Sequence, residues 1–241
     1  MRSRSDKARP GYRDALRPRL VIMVKEPRAG RTKTRLARTL GAARAAFVYR
    51  AMMASLVARL SQDTRWQTVL AVTPDEALGQ AVFGRGTHRI RQGRIRQGRI
   101  RQGHIGQGHI GQGRGDLGQR LQSIADRMPR GPIVIVGTDI PAITPSAISA
   151  AFRTLGSHDA VFGPSSDGGY WLVGLKRRPR VPRAFRDVRW SSAHALEDTQ
   201  ANLAGLSVAK IAALDDVDDG ADFARLKHLM GRRVLPRIET A

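Results

Sequence analysis

An α/β fold, with a mainly parallel sheet covered by helices on both faces, is predicted by three features of the sequence. Apolar runs of strand length alternate with helix-length amphipathic stretches along the chain. Several of those runs are apolar at successive rather than alternate positions, as in strands buried on both faces. Small, acidic and cationic residues gather just after the runs, where the loops at the carboxyl ends of parallel strands lie.

The elements follow in order. LVIMV, Leu20 to Val24, reads as the first buried strand, followed by a polar, glycine-containing turn. A helix is predicted from about Ala42 to Leu60, where Val48, Met52, Leu56 and Leu60 recur at four-residue spacing beside Phe47 and Ala51. WQTVLAVT, Trp66 to Thr73, is the second strand, DLGQRLQSIADRM a helix, and PIVIVG, Pro132 to Gly137, a third strand. TPSAISAAFRTL is a helix opened by Thr144 as N-cap with Pro145 at its first position. DAVFGP and GYWLVGL are strands, SAHALEDTQANLA a helix, LSVAKIAAL a strand and DDGADFARLKHLM the closing helix. One domain is expected over 20–230, between a basic, disordered tail at 1–19 and a C-terminal tail at 231–241.

Residues 89–113 interrupt this pattern with five copies of a pentapeptide, of the form Arg-Ile-Arg-Gln-Gly or His-Ile-Gly-Gln-Gly. In a strand an odd period sends successive Ile side chains to opposite faces. In a helix five steps turn by roughly 140°, and each glycine costs on the order of 1 kcal/mol against alanine. No regular element gathers Ile90, Ile95, Ile100, Ile105 and Ile110 on one face, and the tract is too short for a solenoid. A flexible cationic loop is predicted, with an arginine clamp for phosphates as the alternative.

Composition narrows the function. The chain has no cysteine, which excludes disulfides, thiolate zinc sites and thiol catalysis. No apolar run approaches the ~20 residues of a membrane span, and no signal-like stretch follows the Arg-rich N-terminus, so a cytoplasmic protein is expected. A formal charge of +22 favours polyanionic partners, although much of it lies in the tail, the repeat and KRRPRVPRAFRDVR. Aromatic residues are 5% of the chain and no nucleic-acid-binding motif is present, so nucleic acid is not the expected partner.

Four loops carry the candidate chemistry. KEPRAGRTKTRL, Lys25 to Leu36, offers Arg28, Gly30, Arg31, Lys33 and Arg35 between a strand and a helix, where backbone N–H groups attract an anion. It has neither the Walker A order nor a dinucleotide glycine signature, and a solvated basic loop reads equally well. GTDIP places Asp139 at the end of a buried strand, fit for a divalent cation or for a turn. SSDGGYWLVGL brings Asp167, Gly168, Gly169 and Tyr170, either a ligand-facing turn or an ordinary Asp-Gly hairpin. LDDVDDGADF sets Asp215, Asp216, Asp218 and Asp219 before the last helix, where acidic residues are also favoured by the helix dipole.

Taken in order, VKEPRAGRTKTRLARTLG, GRGDLGQRL, GTDIPAITPSAISAAF, AVFGPSSDGGYWLVGLKR, RWSSAHALEDT and LDDVDDGADFARL resemble a bacterial family of glycosyltransferase-like proteins. That family is similar to the GT-A nucleotide-diphospho-sugar transferases and includes arsenosugar-biosynthesis glycosyltransferases. The resemblance runs from about Leu20 to Met230 apart from the repeat, and implies a Rossmann-like GT-A sheet and a nucleotide or nucleotide-sugar donor. It matches Asp116, Leu117 and Gly118 to a family segment, which makes the repeat an expansion in a loop. The last motif departs from the family: relatives read Asp-Val-Asp-Thr-Pro-Glu-Asp where this chain has Asp-Val-Asp-Asp-Gly-Ala-Asp, retaining Asp216, Asp218 and Asp222.

On this reading a donor diphosphate needs a divalent metal, Mg or Mn, with Asp139 and Asp218 as ligands and Asp216 in reserve. Arg28, Gly30, Lys33 and Arg35 are expected to hold the nucleotide phosphates. Gly168, Gly169 and Tyr170 are expected to face the sugar or a small-molecule acceptor, with Asp167 as general base. Glycosyl transfer leads. Nucleotidyl transfer from an NTP to a phosphorylated small molecule or cofactor precursor is the alternative, and a non-catalytic polyanion-binding role the third reading.

Overall fold

A run apolar at consecutive positions needs cover on both sides, and LVIMV receives it: Leu20, Val21, Ile22 and Val24 are wholly buried in β1 (Arg19–Lys25). The structure is a computed structural model that describes residues 16–78, 80, 82, 88–89 and 108–230. In it β1 lies between β2 (Gln67–Thr73) and, at its other edge, β5 (Ile133–Val136), parallel to both. Beyond β2 come β4 (Gly108–Gly111) and then β3 (His88–Arg89), also parallel. Beyond β5 come β7 (Tyr170–Leu175), β6 (Ala160–Pro164) and β8 (Val208–Lys210). Among the described residues this is one eight-stranded, mostly parallel sheet in which β7 alone runs against its neighbours.

Alternate residues of each strand feed two layers. On one face Leu20, Ile22, Val24, Leu70 and Val134 pack against α2 (Ala42–Ser61) through Met53, Leu56 and Leu60, and against α4 (Pro145–Ser157) through Ile148 and Leu155. On the other, Val21, Val69, Ile135, Phe162 and Val173 meet α3 (Leu117–Arg127) through Leu121, Ile124 and Ala125, with Phe185 and Leu203 beside them. Each large side chain so buried contributes about 1.5–3 kcal/mol. The predicted Rossmann-like α/β fold is thus the observed one. Thr144 caps α4 as expected, accepting from the Ala147 N–H at 3.2 Å. Asp116 opens α3 with a capping box shared with Gln119. The remaining helices are α1 (Thr34–Leu40), α5 (Ala195–Ala201) and α6 (Gly220–Met230). Among the described residues no helix is long and apolar enough to cross a membrane.

Three boundaries differ from the sequence reading. Arg19, placed in the tail, is buried in β1 and donates to the carbonyls of Arg17 and Arg130 at 3.1 Å each. The strand expected over LSVAKIAAL is regular only at Val208–Lys210, yet the chain continues beside β6, with Ile211 and Leu214 donating to the carbonyls of Phe162 and Pro164. The third difference is larger. The last copy of the repeat is not a loop: Gly108–Gly111 is β4, bonded to β2, with Ile110 only 7% exposed and His109 and Gln112 at 2%.

An odd period disfavours a strand only where every copy must share one face, and a single copy in a strand meets no such conflict. Gly111 is required by its neighbour: a Cβ would lie 2.4 Å from the carboxyl carbon of Asp75. That carboxylate accepts from the Gly113 N–H at 3.1 Å. Only the two His-Ile-Gly-Gln-Gly copies have glycine at this place; the other three carry Arg91, Arg96 and Arg101. Residues 90–107 of the repeat, and the tails at 1–15 and 231–241, lie outside the described residues.

Candidate functional site

The reversed direction of β7 shapes the site. Leu172 lies opposite Val136, so the β6–β7 turn, Ser165 to Gly169, stands at the same sheet edge as the carboxyl ends of β1 and β5. The loop after β1, the loop after β5, this turn and the segment before α6 therefore converge. They enclose a cavity of about 590 Å³.

One end of the cavity is charged. Lys33, at the N-cap of α1 in a left-handed conformation (φ 50°), extends its ammonium to Asp139 Oδ2 at 3.1 Å and Asp218 Oδ1 at 2.5 Å. Its side chain is 9% exposed, against 36% and 38% for the two carboxylates. Burial disfavours the charged lysine, but Asp139 and Asp218 outweigh it and hold its pKa above the ordinary value. Arg35 approaches the other oxygen of Asp218 at 3.4 Å. Asp216 completes the group: Asp139, Asp216 and Asp218 each offer an oxygen, all within 4.8 Å of one another. Burial, followed by the neighbouring Asp218 and Asp139 carboxylates, pushes Asp216 up to about 6. Three convergent carboxylates are a hard-oxygen set suited to Mg or Mn.

The loops that carry these groups are tied to the core. The Tyr49 hydroxyl accepts from the Lys25 N–H at 2.9 Å and shares a hydrogen bond with Thr138 Oγ1 at 3.0 Å. Burial raises the Tyr49 pKa, so the phenol stays protonated. One helical side chain thus joins the first loop to the residue beside Asp139. On the far side, Gln112 donates to the carbonyls of Ala71 at 2.8 Å and Val24 at 3.2 Å and accepts from Arg120 at 3.1 Å. Both Gln112 and Arg120 line the cavity.

Of the residues singled out from the sequence, Arg31, Lys33, Arg35, Asp139, Asp167, Gly169, Tyr170, Asp216 and Asp218 line this cavity. Arg28, Gly30 and Gly168 are not among its lining residues. The Arg28 guanidinium instead pairs with Glu26 at 2.7 Å, and Arg31 is the loop arginine at the cavity. Gly168, at φ 82°, packs so closely on the Ala193 backbone that a Cβ would lie 2.2 Å from its carbonyl oxygen. Sequence reasoning missed Tyr49, Thr138, Gln112, Arg120 and Trp190. Thr138, Arg120 and Trp190 lie unmarked within GTDIP, GRGDLGQRL and RWSSAHALEDT, and Gln112 left a signal in the change from arginine to glycine beside it in the last two repeat copies.

An α/β sheet with a charged cavity at its strand ends defines a Rossmann-like class, and solved structures share the fold. A protein from Desulfovibrio desulfuricans G20, designated a candidate nucleotide-diphospho-sugar transferase, is similar with a TM-score of 0.73 and 24% identity over 90% of this chain and 89% of that one. A 4-diphosphocytidyl-2C-methyl-D-erythritol synthase from Anaerococcus prevotii DSM 20548 gives 0.55 and 8% over 91% and 100%. A CMP:2-keto-3-deoxy-manno-octonic acid synthetase complexed with CTP gives 0.53 and 12% over 89% and 98%. No curated protein matches the chain. The chain belongs to DUF2064, a family described as an uncharacterized protein conserved in bacteria, whose model matches residues 56–192.

Proposed function

We propose that the chain is a metal-dependent transferase that takes a nucleotide-sugar donor and passes the sugar to a small-molecule acceptor. The observation that carries this reading is what the cavity brings together. Lys33, Arg35 and the three carboxylates form one cluster, and Asp167, Gly169 and Tyr170 line the same cavity. Asp139, Asp216 and Asp218 would hold the divalent ion, which neutralises a diphosphate leaving group when bound. Lys33 and Arg35, joined by Arg31, would bind the phosphates, while Arg28 and Gly30 shape the same loop. Asp167, which lines the same cavity, would orient sugar or acceptor hydroxyls and take a proton from the acceptor.

A second reading, nucleotidyl transfer, is favoured by the likeness in fold to the diphosphocytidyl-methylerythritol synthase and to the CMP-sugar-acid synthetase, the latter complexed with CTP. The same charged end would serve attack on the α-phosphate of an NTP. The bond broken separates the two: release of pyrophosphate from a triphosphate would move the assignment to nucleotidyl transfer, and release of a nucleoside diphosphate would keep it with glycosyl transfer.

The test is a thermal-shift panel of nucleotides and nucleotide sugars with and without Mg²⁺ or Mn²⁺. Asp139→Asn is expected to abolish the metal-dependent part of the shift while leaving the ligand-free melting temperature near that of the native chain. Undiminished metal-dependent binding in that variant would remove Asp139 from the site.

A further inference from the structure

The cavity has an aromatic wall that the charged end does not explain. Of the three tryptophans in the chain, Trp66 and Trp171 are 2% and 3% exposed, whereas Trp190 is partly exposed and lines the cavity. A solvated loop tryptophan would be free to turn, but the fold holds this one from several sides. Its ring stands edge-on to Tyr170 with centroids 6.4 Å apart, and Tyr170 is set in turn against Phe162 at 5.1 Å. In α3 a Cβ at Gly118 would lie 3.0 Å from the indole nitrogen and 2.4 Å from the Phe185 carbonyl, so the helix approaches closely behind the ring.

The backbone around Trp190 is fixed as well. Arg189 donates to Asp198 through its N–H at 2.9 Å, Nε at 2.9 Å and Nη2 at 2.7 Å. Ser192 Oγ donates back to the Arg189 carbonyl at 2.6 Å. Asp187 and Ser191 both take left-handed conformations, at φ 52° and 58°, which disfavour a non-glycine residue and persist where surrounding structure imposes them. A strained, clamped segment that delivers a partly exposed indole to a cavity is a preorganised surface for a ligand.

The neighbours indicate what kind of ligand. Asp167 and Ser191 line the same cavity, and the Asp167 turn packs on the Trp190 segment, where the Leu196 N–H donates to the Gly168 carbonyl at 3.0 Å. A sugar ring presents an apolar C–H face and hydroxyls at its edge, which an indole, a carboxylate and a hydroxyl satisfy together. Resting on the glycosyl-transfer reading above, we infer that Trp190 is the platform on which the sugar of the donor packs, with Asp167 and Ser191 taking its hydroxyls.

Because Trp190 is the one tryptophan open to solvent, acrylamide quenching of the native chain's fluorescence reports on it directly, with Trp190→Phe supplying the baseline. In the presence of Mg²⁺ a nucleotide sugar is expected to protect Trp190 from quenching, and the matching nucleoside diphosphate is not. By titration calorimetry Trp190→Ala is expected to weaken the nucleotide sugar roughly tenfold. The nucleoside diphosphate should be almost unaffected, and Trp190→Phe, which keeps a ring, should restore most of the loss. Equal protection or equal weakening by the two ligands would put the nucleobase on the ring and overturn the inference. Binding of both without protection of Trp190 would overturn it too, leaving the indole a structural role. If the native chain binds no nucleotide sugar, the glycosyl-transfer reading itself fails, which is a different result from either.

Discussion

Deleting one repeat unit, His109–Gly113, is expected to leave the melting temperature almost unchanged, whereas deleting two, His104–Gly113, should lower it by roughly 6–12 °C. The first deletion brings Gly103–Gly108 up to Arg114, and that hexapeptide, Gly-His-Ile-Gly-Gln-Gly, is identical to the Gly108–Gly113 it replaces. The strand β4 and the Gln112 bonds can then be rebuilt from the same residue types, and shortening a long connection costs only a few tenths of a kcal/mol. The second deletion offers Gly-Arg-Ile-Arg-Gln-Gly instead. It would put an arginine at the place of His109, 2% exposed, and another where a Cβ meets Asp75 at 2.4 Å. A buried, uncompensated charge and the overlap together cost about 3 kcal/mol or more, which sets the shift for a chain of this size. Removing all five units, 89–113, should be worse still, since no segment would be left to bond to β2. Equal tolerance of all three deletions would mean that the sheet does not depend on β4.

Gly168→Ala is the second large effect. The residue sits at φ 82°, and the new Cβ would lie 2.2 Å from the Ala193 carbonyl oxygen and 2.5 Å from its Cα, both backbone atoms that cannot swing aside. A left-handed alanine costs about 1–2 kcal/mol and a core overlap about 1–3, so a loss of roughly 2–5 kcal/mol is expected. Gly30→Ala is the control, because Gly30 has φ 75° but nothing within 4 Å of its Cβ position, and it should show the conformational cost alone. Thermal melts of the two variants make the comparison. Similar losses would mean that the turn does not depend on its contact with Ala193.

The parts of this fold that were legible in the sequence are those governed by local rules. Buried strands announce themselves as LVIMV and PIVIVG, and Thr144 followed by Pro145 marks the start of α4. The charged end of the cavity was legible for a related reason: Lys33, Asp139 and Asp218 each follow or precede an element whose position the apolar pattern gives. What could not be read are contacts set by the sheet order. The direction of β7 depends on a hairpin partner, and a strand of four residues inside a repeat depends on β2 for its bonds. Tyr49 was not among the positions marked in its helix, because the two loops its hydroxyl ties together are distant in sequence. Trp190 stood unmarked within RWSSAHALEDT, because the clamp that holds it comes from Asp198 and the ring it meets from β7.

The ammonium of Lys33 occupies the space between Asp139 and Asp218 that a divalent ion would enter. An ion taking up both carboxylates must displace it, so the observed affinity of the free chain for metal falls below that of the bare carboxylates. A phosphate that draws Lys33 away removes that competition. If the chain binds both as proposed, metal and nucleotide would be linked with positive sign, and the linkage would be symmetrical: whatever factor the nucleotide adds to metal affinity, the metal adds to nucleotide affinity. On the proposed reading such a chain would resist stray divalent ions until its substrate arrives, and would acquire its full charge complement as a pair.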